Sequence, residues 1–171
     1  QFQALYKVYD GHFTIGASTP SYDAETAIDQ QFETKHLTEE ILRNNLQHFV
    51  GEIEQVPPMY SAIKVNGQAL YKKARKGEKV RIKSRIVTIH DYQILEIKDK
   101  QISFEIKCSK GTYIRSLAHD FGQKLNNAAY LSKLRRTQIG EHHLKDAWQL
   151  DALIEHIHGY ATTDNETKES A

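Results

Sequence analysis

The alternation of apolar and polar residues is clearest in QISFEIKC, residues 101–108, where four apolar side chains share one face. A period of two predicts a strand with one buried side, which here consists of Ile102, Phe104, Ile106 and Cys108. Less regular alternation predicts further extended segments at 2–17, 79–97 and 130–142. The hairpin-like spacing of these segments favours a mainly antiparallel sheet.

Helical spacing of apolar residues appears between the strands. TEEILRNNLQHFVG, residues 38–51, is typical of an amphipathic helix that Thr38 caps and Gly51 ends. Apolar residues three and four apart predict a second helix at 113–125, with Thr112 as its cap. Shorter helices are predicted at 68–77 and 146–157. The predicted fold class is therefore α+β, with a mainly antiparallel sheet and helices between its strands.

Length and composition describe an ordinary globular chain. Its 171 residues are enough for one domain with a real core, and the polar stretch 161–171 is expected to be a disordered tail. No apolar run approaches the roughly 18 residues that a membrane span needs. The single cysteine, Cys108, cannot form an intramolecular disulfide, which favours a reducing, cytoplasmic compartment. Since Met59 is the only methionine, we expect the chain to be a fragment.

The net charge of +1 conceals a strong segregation of charge. Nine cationic residues against one acidic residue give segment 64–85 a net charge of +8, and seven against one give segment 107–136 a net charge of +6. Two basic segments on an otherwise acidic chain are typical of a polyanion-binding protein; a solvated lysine-rich face is the alternative. Tyr60, Tyr71 and Tyr113 lie among these cations, where their rings either stack on unpaired RNA bases or pack in the core.

Arg115 lies in a position that the helix macrodipole disfavours. It falls in the first turn of the predicted helix 113–125, where a cation meets the positive end of the dipole. A compensating anion is required there, either a phosphate or a carboxylate, and Gly111 lets the preceding backbone approach a ligand closely. His119 follows four residues later on the same face. A functional site and a structural salt bridge explain Arg115 equally well at this point.

Other chemistries have less support. The nine histidines lack the spacing of zinc ligands, and His142 and His143 would face opposite sides of a strand. Neither a Walker-type phosphate loop nor a dinucleotide fingerprint occurs. Cys108 is a poor candidate nucleophile because it falls on the apolar face of its strand. We therefore predict no metal site.

Three segments resemble motifs of the TruB family of tRNA pseudouridine synthases. KVYDGHFTIGASTPSYD is similar to the family's Lys-x-Tyr strand and Leu-Gly-x-x-Thr turn, and VPPMYSAIKVNGQALYKKARKG to its Pro-Pro-x-Tyr-Ser-Ala-x-Lys segment. KCSKGTYIRSLAHDFGQKL and the following YLSKLRR form the third match. The segments follow the family's order between about Lys7 and about Gly140, so the likeness rests on three independent motifs.

The resemblance implies the pseudouridine synthase fold, a mixed, mostly antiparallel sheet flanked by helices, with residues 1–160 as the C-terminal portion of the catalytic domain. It implies that uridine 55 in the tRNA T-loop is flipped out, cleaved from its ribose, turned over and rejoined through carbon, without a cofactor. Tyr9 would stack on the flipped base and take part in proton removal, and Arg115 would pair with the catalytic aspartate. Tyr113 and Leu134 would line the uracil pocket. RNA contacts are expected from Lys64, Lys72, Lys73, Arg75, Lys110, Arg135 and Arg136, although Lys64 and the last two arginines could instead form structural pairs. The implied partner is the tRNA T-stem-loop, bound by a monomer with no membrane and no metal.

The family's catalytic aspartate lies in a Gly-x-Leu-Asp-Pro segment ahead of the Lys-x-Tyr strand, and this sequence has no such segment. Asp10 and Asp23 are the nearest candidates, but both follow the wrong landmarks. The chain is therefore expected to be a fragment that lacks N-terminal strands, exposes a sheet edge and is inactive alone, with Arg115 left without its carboxylate partner. Two alternatives remain: a non-catalytic RNA-binding module or pseudoenzyme of the same fold, and an unrelated basic domain that binds acidic proteins.

Overall fold

A computed structural model describes residues 2–61, 64–65, 68–77, 80 and 82–166 of the chain. The chain divides into two compact units, Gln1–Glu141 and His142–Ala171. The strands of the first unit are β1 (Lys7–Ile15), β2 (Ala17–Ser18), β3 (Gln30–Gln31), β4 (Gly51–Gln55), β5 (Lys64–Val65), β6 (Gln68–Ala69), β7 (Arg85–Lys98), β8 (Gln101–Cys108) and β9 (Ala129–Ile139). Its α-helices are α1 (Glu39–Leu46), α2 (Leu70–Arg75) and α3 (Ile114–Lys124).

The main sheet of the first unit has the strand order β9-β1-β8-β7-β4. Every named strand pair in it is antiparallel, as the spacing predicted. Two small antiparallel ladders, β2 with β3 and β5 with β6, lie beside it. The predicted α+β class is therefore confirmed.

The core lies on one face of this sheet. The predicted buried side of β8 is confirmed, since its four apolar residues are at most 1% exposed. Phe104 of β8 stacks on Phe13 of β1 with ring centroids 4.3 Å apart, and Phe121 of α3 packs against Phe13 in the same core cluster. The apolar stripe of the predicted helix 113–125 is likewise buried, as its spacing predicted. It sets which face of α3 packs on the sheet and consists of Ile114, Leu117, Phe121 and Leu125.

The two predicted helix caps have different outcomes. Thr38 caps α1 as expected, because its hydroxyl accepts a hydrogen bond from the Ile41 amide. The prediction that Thr112 caps α3 is wrong: its hydroxyl donates to the Ser109 carbonyl, and the cap position belongs to Tyr113, which forms no side-chain cap. The start of α3 must therefore be held by other parts of the chain.

Gly11 lets the central strands approach closely. A Cβ atom at this position would collide with the carbonyl oxygen of Lys133 in β9 and with the ring of Phe104. The register between β1 and β9 also shifts at Val8/Tyr9 and at His12/Phe13. These irregularities change which β9 side chains lie opposite Tyr9.

The second unit contains β10 (His142–His143), a 3₁₀ turn at Leu144–Asp146 and the helix α4 (Leu150–Glu166). The predicted terminal helix is therefore confirmed with shifted bounds. Residues 161–166 belong to α4, so the expected disordered tail 161–171 is in part helical, and 167–171 lie outside the described residues. None of the helices in the described ranges has the length and apolar character needed to span a bilayer.

Candidate functional site

The beginning of α3 lies at the end of the sheet that also carries Tyr9. β8 ends at Cys108 and leads directly into α3 through Gly111, whose φ is +80°. At that same end, Lys7 of β1 pairs with Cys108 of β8 on one side and with Ile139 of β9 on the other. The fold therefore brings the Lys-x-Tyr strand, the end of β9 and the first turn of α3 to one end of the sheet.

Arg115 is held by two acceptors from distant parts of the chain. Its Nη1 donates to Asp23 Oδ2 at 2.8 Å, and its Nη2 donates to the Tyr60 carbonyl at 2.7 Å. Both side chains of the ion pair are about one-fifth exposed. The positive charge in the first turn of α3 is thus compensated by a carboxylate, one of the two anions that its position required.

Arg115 therefore has a carboxylate partner within this chain, Asp23, whereas the expected loss of the family's catalytic aspartate stays a prediction. Asp23 comes from the loop after β2, and the sequence separates the two residues by 92 positions. Tyr22 has a left-handed φ of 65°, and its ring stacks on His119 of α3 with centroids 3.9 Å apart. The loop therefore contacts α3 twice, at the two positions that share a face of the helix.

Asp23 is fixed within its own loop as well. Its Oδ1 accepts hydrogen bonds from Ser21 Oγ at 2.6 Å and from the Glu25 amide at 3.0 Å, while Oδ2 is taken by Arg115. A carboxylate held on both oxygens is a structural anchor for the guanidinium. Three of the roughly four acceptor positions of this carboxylate are therefore used by donors within the chain, which leaves little of it available to a substrate.

Tyr9 lies on the core face of β1, half-buried against the hydrophobic cluster. Burial raises the pKa of its phenol, followed by the nearby Cys108, while a hydrogen bond from Arg136 opposes the rise. Arg136 is its direct partner on β9. Tyr9 is therefore a neutral phenol with a cation beside it.

Leu134 lies on the same face, two residues before Arg136 and opposite Gly11. It is 41% exposed although it belongs to a long strand that begins in the core. An exposed leucine beside a glycine and a tyrosine leaves an apolar surface next to the Tyr9 ring. This placement agrees with the predicted role of Leu134 in a base pocket, which stays a prediction.

Tyr113 is bound through its backbone and covered by a cation. Gln55, at the end of β4, donates from Nε2 to the Tyr113 carbonyl at 3.1 Å and accepts at Oε1 from the Tyr113 amide at 2.8 Å. The guanidinium carbon of Arg85 lies 5.2 Å from the centroid of the Tyr113 ring. Sequence reasoning missed Gln55, whose only signal is its position directly before the Val56-Pro-Pro segment.

A cleft of about 930 Å³ opens at this end of the first unit. Within the described part of the chain ten residues line it, of which Lys7, Arg85, Lys110 and Arg136 are cations and none is acidic. Phe2, Ile86 and Ile139 contribute apolar surface. Cations around a partly apolar cleft are suited to a phosphate backbone with unstacked bases.

The predicted RNA-contacting residues are distributed unevenly. Lys110 and Arg136 line the cleft, whereas Arg135 lies on the opposite face of β9 and pairs with Asp10. The structure thus separates the two neighbouring arginines, which the sequence could not do. Lys72 is exposed and Lys73 partly exposed on α2, while the side chains of Lys64 and Arg75 lie outside the described part of the chain.

Two titratable groups near the middle of α3 are perturbed by burial. Burial raises the pKa of the Asp120 carboxyl to about 6 and lowers the pKa of His119, the latter opposed by Asp29. Cys108 is 1% exposed, and burial raises the pKa of its thiol to about 11. The thiol therefore stays protonated at neutral pH, in agreement with its rejection as a nucleophile.

Comparison with known families covers almost the whole chain. Residues 1–114 match the TruB family pseudouridylate synthase (N terminal domain), and residues 115–169 match the tRNA pseudouridylate synthase B C-terminal domain. The boundary between these matches falls in the first turn of α3, directly before Arg115. The groups that hold Arg115 therefore come from the N-terminal match.

Curated relatives carry the name tRNA pseudouridine synthase B. The protein of Flavobacterium johnsoniae is 50% identical over 157 residues, which is 92% of this chain and 69% of the relative. That of Phocaeicola vulgatus is 43% identical over 155 residues, 91% of this chain and 66% of the relative. The chain thus spans about two thirds of the length of these relatives.

Solved structures support the same fold. A chain in "Crystal Structure of a Cbf5-Nop10-Gar1 Complex" matches with a TM-score of 0.58 and 25% identity, over 83% of this chain and 33% of that chain. A chain in "Structure of H/ACA RNP bound to a substrate RNA containing 2'-deoxyuridine" has a TM-score of 0.55 at 21% identity, over 84% and 31%. Together with the family models and the two curated relatives, these likenesses establish that the chain belongs to the TruB family of pseudouridylate synthases, whose function is the pseudouridylation of tRNA.

Proposed function

We propose that the protein containing this chain converts uridine 55 in the T-loop of tRNA to pseudouridine. In this proposal the chain supplies the arginine, the base-stacking tyrosine and much of the RNA-binding surface. Family membership supports the reaction class, and the placement of Tyr9, Tyr113 and Arg115 at one end of the sheet supports their joint action. A reducing cytoplasm remains the expected compartment, since the single cysteine is a free thiol, and a monomer remains the expected form.

The observation that carries the proposal is the arrangement around the first turn of α3. Arg115 is fixed by Asp23 and by the Tyr60 carbonyl. Gly111, four residues earlier, lines the cationic cleft. A base flipped from an RNA loop would contact the apolar and aromatic surface of this cleft. The phosphates of the same RNA would bind Lys110 and Arg136.

The guanidinium of Arg115 retains donors beyond the two that are used. Arginine has five N–H groups, and among the described residues its Nε donates no hydrogen bond. A second carboxylate that reached Arg115 would therefore find an N–H group that these two acceptors do not use. The ion pair with Asp23 makes the arginine rigid in advance, which reduces the entropy that positioning would otherwise cost.

Tritium release from tRNA transcripts labelled at uridine C5 tests the proposal. The protein containing this chain should release tritium from wild-type tRNA, and replacing uridine 55 with cytidine should remove the release at that site. A transcript with a replaced uridine in the D-loop serves as the matched control. Equal release from both substituted transcripts would overturn the assignment of uridine 55.

The RNA-binding module without catalysis remains the second candidate, and the engagement of Asp23 favours it for these 171 residues in isolation. With both oxygens of Asp23 bound, the chain by itself should bind the T-stem-loop without releasing tritium. Release by the isolated chain would show that a carboxylate within it, with Asp23 first in line, is catalytic. The unrelated acidic-protein-binding domain is excluded by family membership.

A further inference from the structure

The side chain of Gln55 replaces the cap that α3 lacks. In a capping box, a Glu or Gln three residues into the helix satisfies the amide of the cap residue. Here the cap residue is Tyr113, and the corresponding position is Ser116, whose hydroxyl donates instead to the Val56 carbonyl at 2.8 Å. The Tyr113 amide is satisfied from outside the helix by Gln55, 58 residues earlier in the chain.

Gln55 is fully buried, with 0% of its surface exposed. A buried primary amide is costly unless both its donor and its acceptor are used. Both are used on one residue, Tyr113, whose backbone is extended at φ −98° and ψ 106°. The carboxamide thus continues the edge of β4 into the start of α3, much as a strand partner would.

The segment that begins at Gln55 holds both the helix turn around Arg115 and the guanidinium of Arg115. Gln55 and Val56 bind the backbone and side chain on either side of Arg115, through Tyr113 and Ser116. Tyr60, five residues later in the same segment, accepts from the guanidinium. Pro57 and Pro58 lie between and restrict the backbone that connects these contacts. One short segment that contains two prolines therefore holds both the start of α3 and the guanidinium of Arg115.

We propose that Gln55 is a positioning residue for Arg115 in the pseudouridylation reaction. It acts through the Tyr113 backbone and does not touch the RNA. This inference rests on the proposed function for its kinetic consequence, but its structural consequence can be measured separately.

Gln55→Glu is the discriminating variant because it is nearly isosteric. An ionised carboxylate accepts from the Tyr113 amide but cannot donate to the Tyr113 carbonyl. A protonated carboxyl group can do both and restores the pattern of the amide. Burial should raise the pKa of the introduced carboxyl above the usual value of about 4.3, so the variant should regain the contact as the pH falls.

The kinetic arm measures kcat and the dissociation constant for tRNA in the protein containing this chain. At about pH 8.5 the kcat of Gln55→Glu should fall about ten- to a hundredfold, as expected for a small misplacement of a catalytic group, while RNA affinity changes less than about threefold. The ratio of variant to wild-type kcat should rise towards one near pH 6. Gln101→Glu, the same change on an exposed residue of β8, should leave kcat unchanged at both pH values.

The spectroscopic arm follows the Arg115 guanidinium N–H signals by NMR in the same protein. Wild type should show slowly exchanging protons, because Asp23 and Tyr60 hold them. In Gln55→Glu they should exchange fast at high pH and recover at low pH. This arm stands even if the wild type releases no tritium, so failure of the proposed function and failure of this inference are distinguishable.

Two results would overturn the inference. The first is a loss of thermal stability in Gln55→Glu with wild-type kcat and unchanged Arg115 signals, which would make Gln55 purely structural. The second is a pH-independent loss of kcat with unchanged Arg115 signals. If Gln55→Glu does not fold, Gln55→Met decides instead, since methionine is similar in length and flexible but removes both hydrogen bonds to the Tyr113 backbone. Unchanged kcat and unchanged guanidinium exchange in Gln55→Met would then reject the positioning role of Gln55.

Discussion

Asp23 and Arg115 form a partly buried ion pair that joins the loop after β2 to the first turn of α3 at 2.8 Å. The pair also organises the loop, because the other oxygen of Asp23 accepts from Ser21 and from the Glu25 amide. The arginine of the candidate site is therefore fixed before any RNA arrives. This arrangement has consequences for stability and for turnover that can be measured separately.

Replacing Asp23 with asparagine should lower the free energy of unfolding by about 1–3 kcal/mol, because the partly buried Arg115 loses its counter-charge. Asp10→Asn is the matched control, since it breaks the pair with Arg135, whose side chain is 63% exposed. That control should show no measurable change. Urea denaturation of the two variants and the wild type makes the comparison. Equal losses in both variants would contradict the view that burial makes the Asp23 pair important.

Arg115→Lys should impair turnover far more than folding. The guanidinium donates in two directions, to Asp23 and to the Tyr60 carbonyl, and an ammonium cannot reproduce this planar fork. We expect the rate of tritium release to fall about a hundredfold or more, with a melting temperature within a few degrees of wild type. Arg43→Lys, on the partly exposed surface of α1, should retain full turnover. Undiminished turnover in Arg115→Lys would remove this residue from the site.

RNA affinity should decrease steeply with salt. Four cations of the described residues line the cleft, and each phosphate contact contributes a slope of about −0.7 to −0.9 in log affinity against log salt, so four contacts give a total slope of about −2.8 to −3.6. Lys110→Ala and Arg136→Ala should each make the slope shallower by about one. Lys124→Ala, at the far end of α3, should leave it unchanged. A slope near zero in the wild type, measured by filter binding, would contradict the basic-cleft interpretation.

Asp120 should make the protein less stable as the pH rises. Burial raises its folded-state pKa to about 6 from an ordinary value of 3.8, so the folded state binds the extra proton between these values. By linkage, the extra proton adds to the free energy of unfolding. This contribution is fully present below about pH 4 and is lost as the pH rises through about 6. Asp120→Asn should therefore raise the free energy of unfolding by about 1 kcal/mol at pH 8, a value reduced for the partial exposure of the carboxyl group.

The difference between Asp120→Asn and wild type should vanish near pH 4. Comparing the two proteins at each pH cancels the opposite contribution of His119, whose lowered pKa favours folding at higher pH. Chemical denaturation across the pH range provides the measurement. A difference that stays constant with pH would show that Asp120 is not the group responsible.

Local periodicity determined much of the fold in advance. The alternation in β8, the apolar stripe of α3 and the Thr38 cap of α1 could each be read from fewer than fifteen consecutive residues. Short-range patterns of this kind predict which face of an element is buried, because side-chain direction follows from the backbone period. The motifs likewise predicted the family correctly, whereas the roles of Tyr9, Tyr113 and Arg115 stay predictions.

The partners of those residues depended on the tertiary structure. The sequence predicted an anion for Arg115 from the helix dipole, but the supplier, Asp23, lies 92 residues away and reaches α3 through the left-handed turn at Tyr22. It predicted Thr112 as the cap of α3, whereas Gln55 from an edge strand holds that helix start. Contacts between segments so far apart depend on the packing of whole elements, so no local pattern encodes them. The sequence by itself determined the elements, the family and the charge of the site, and the tertiary structure alone decided which groups hold Arg115 in place.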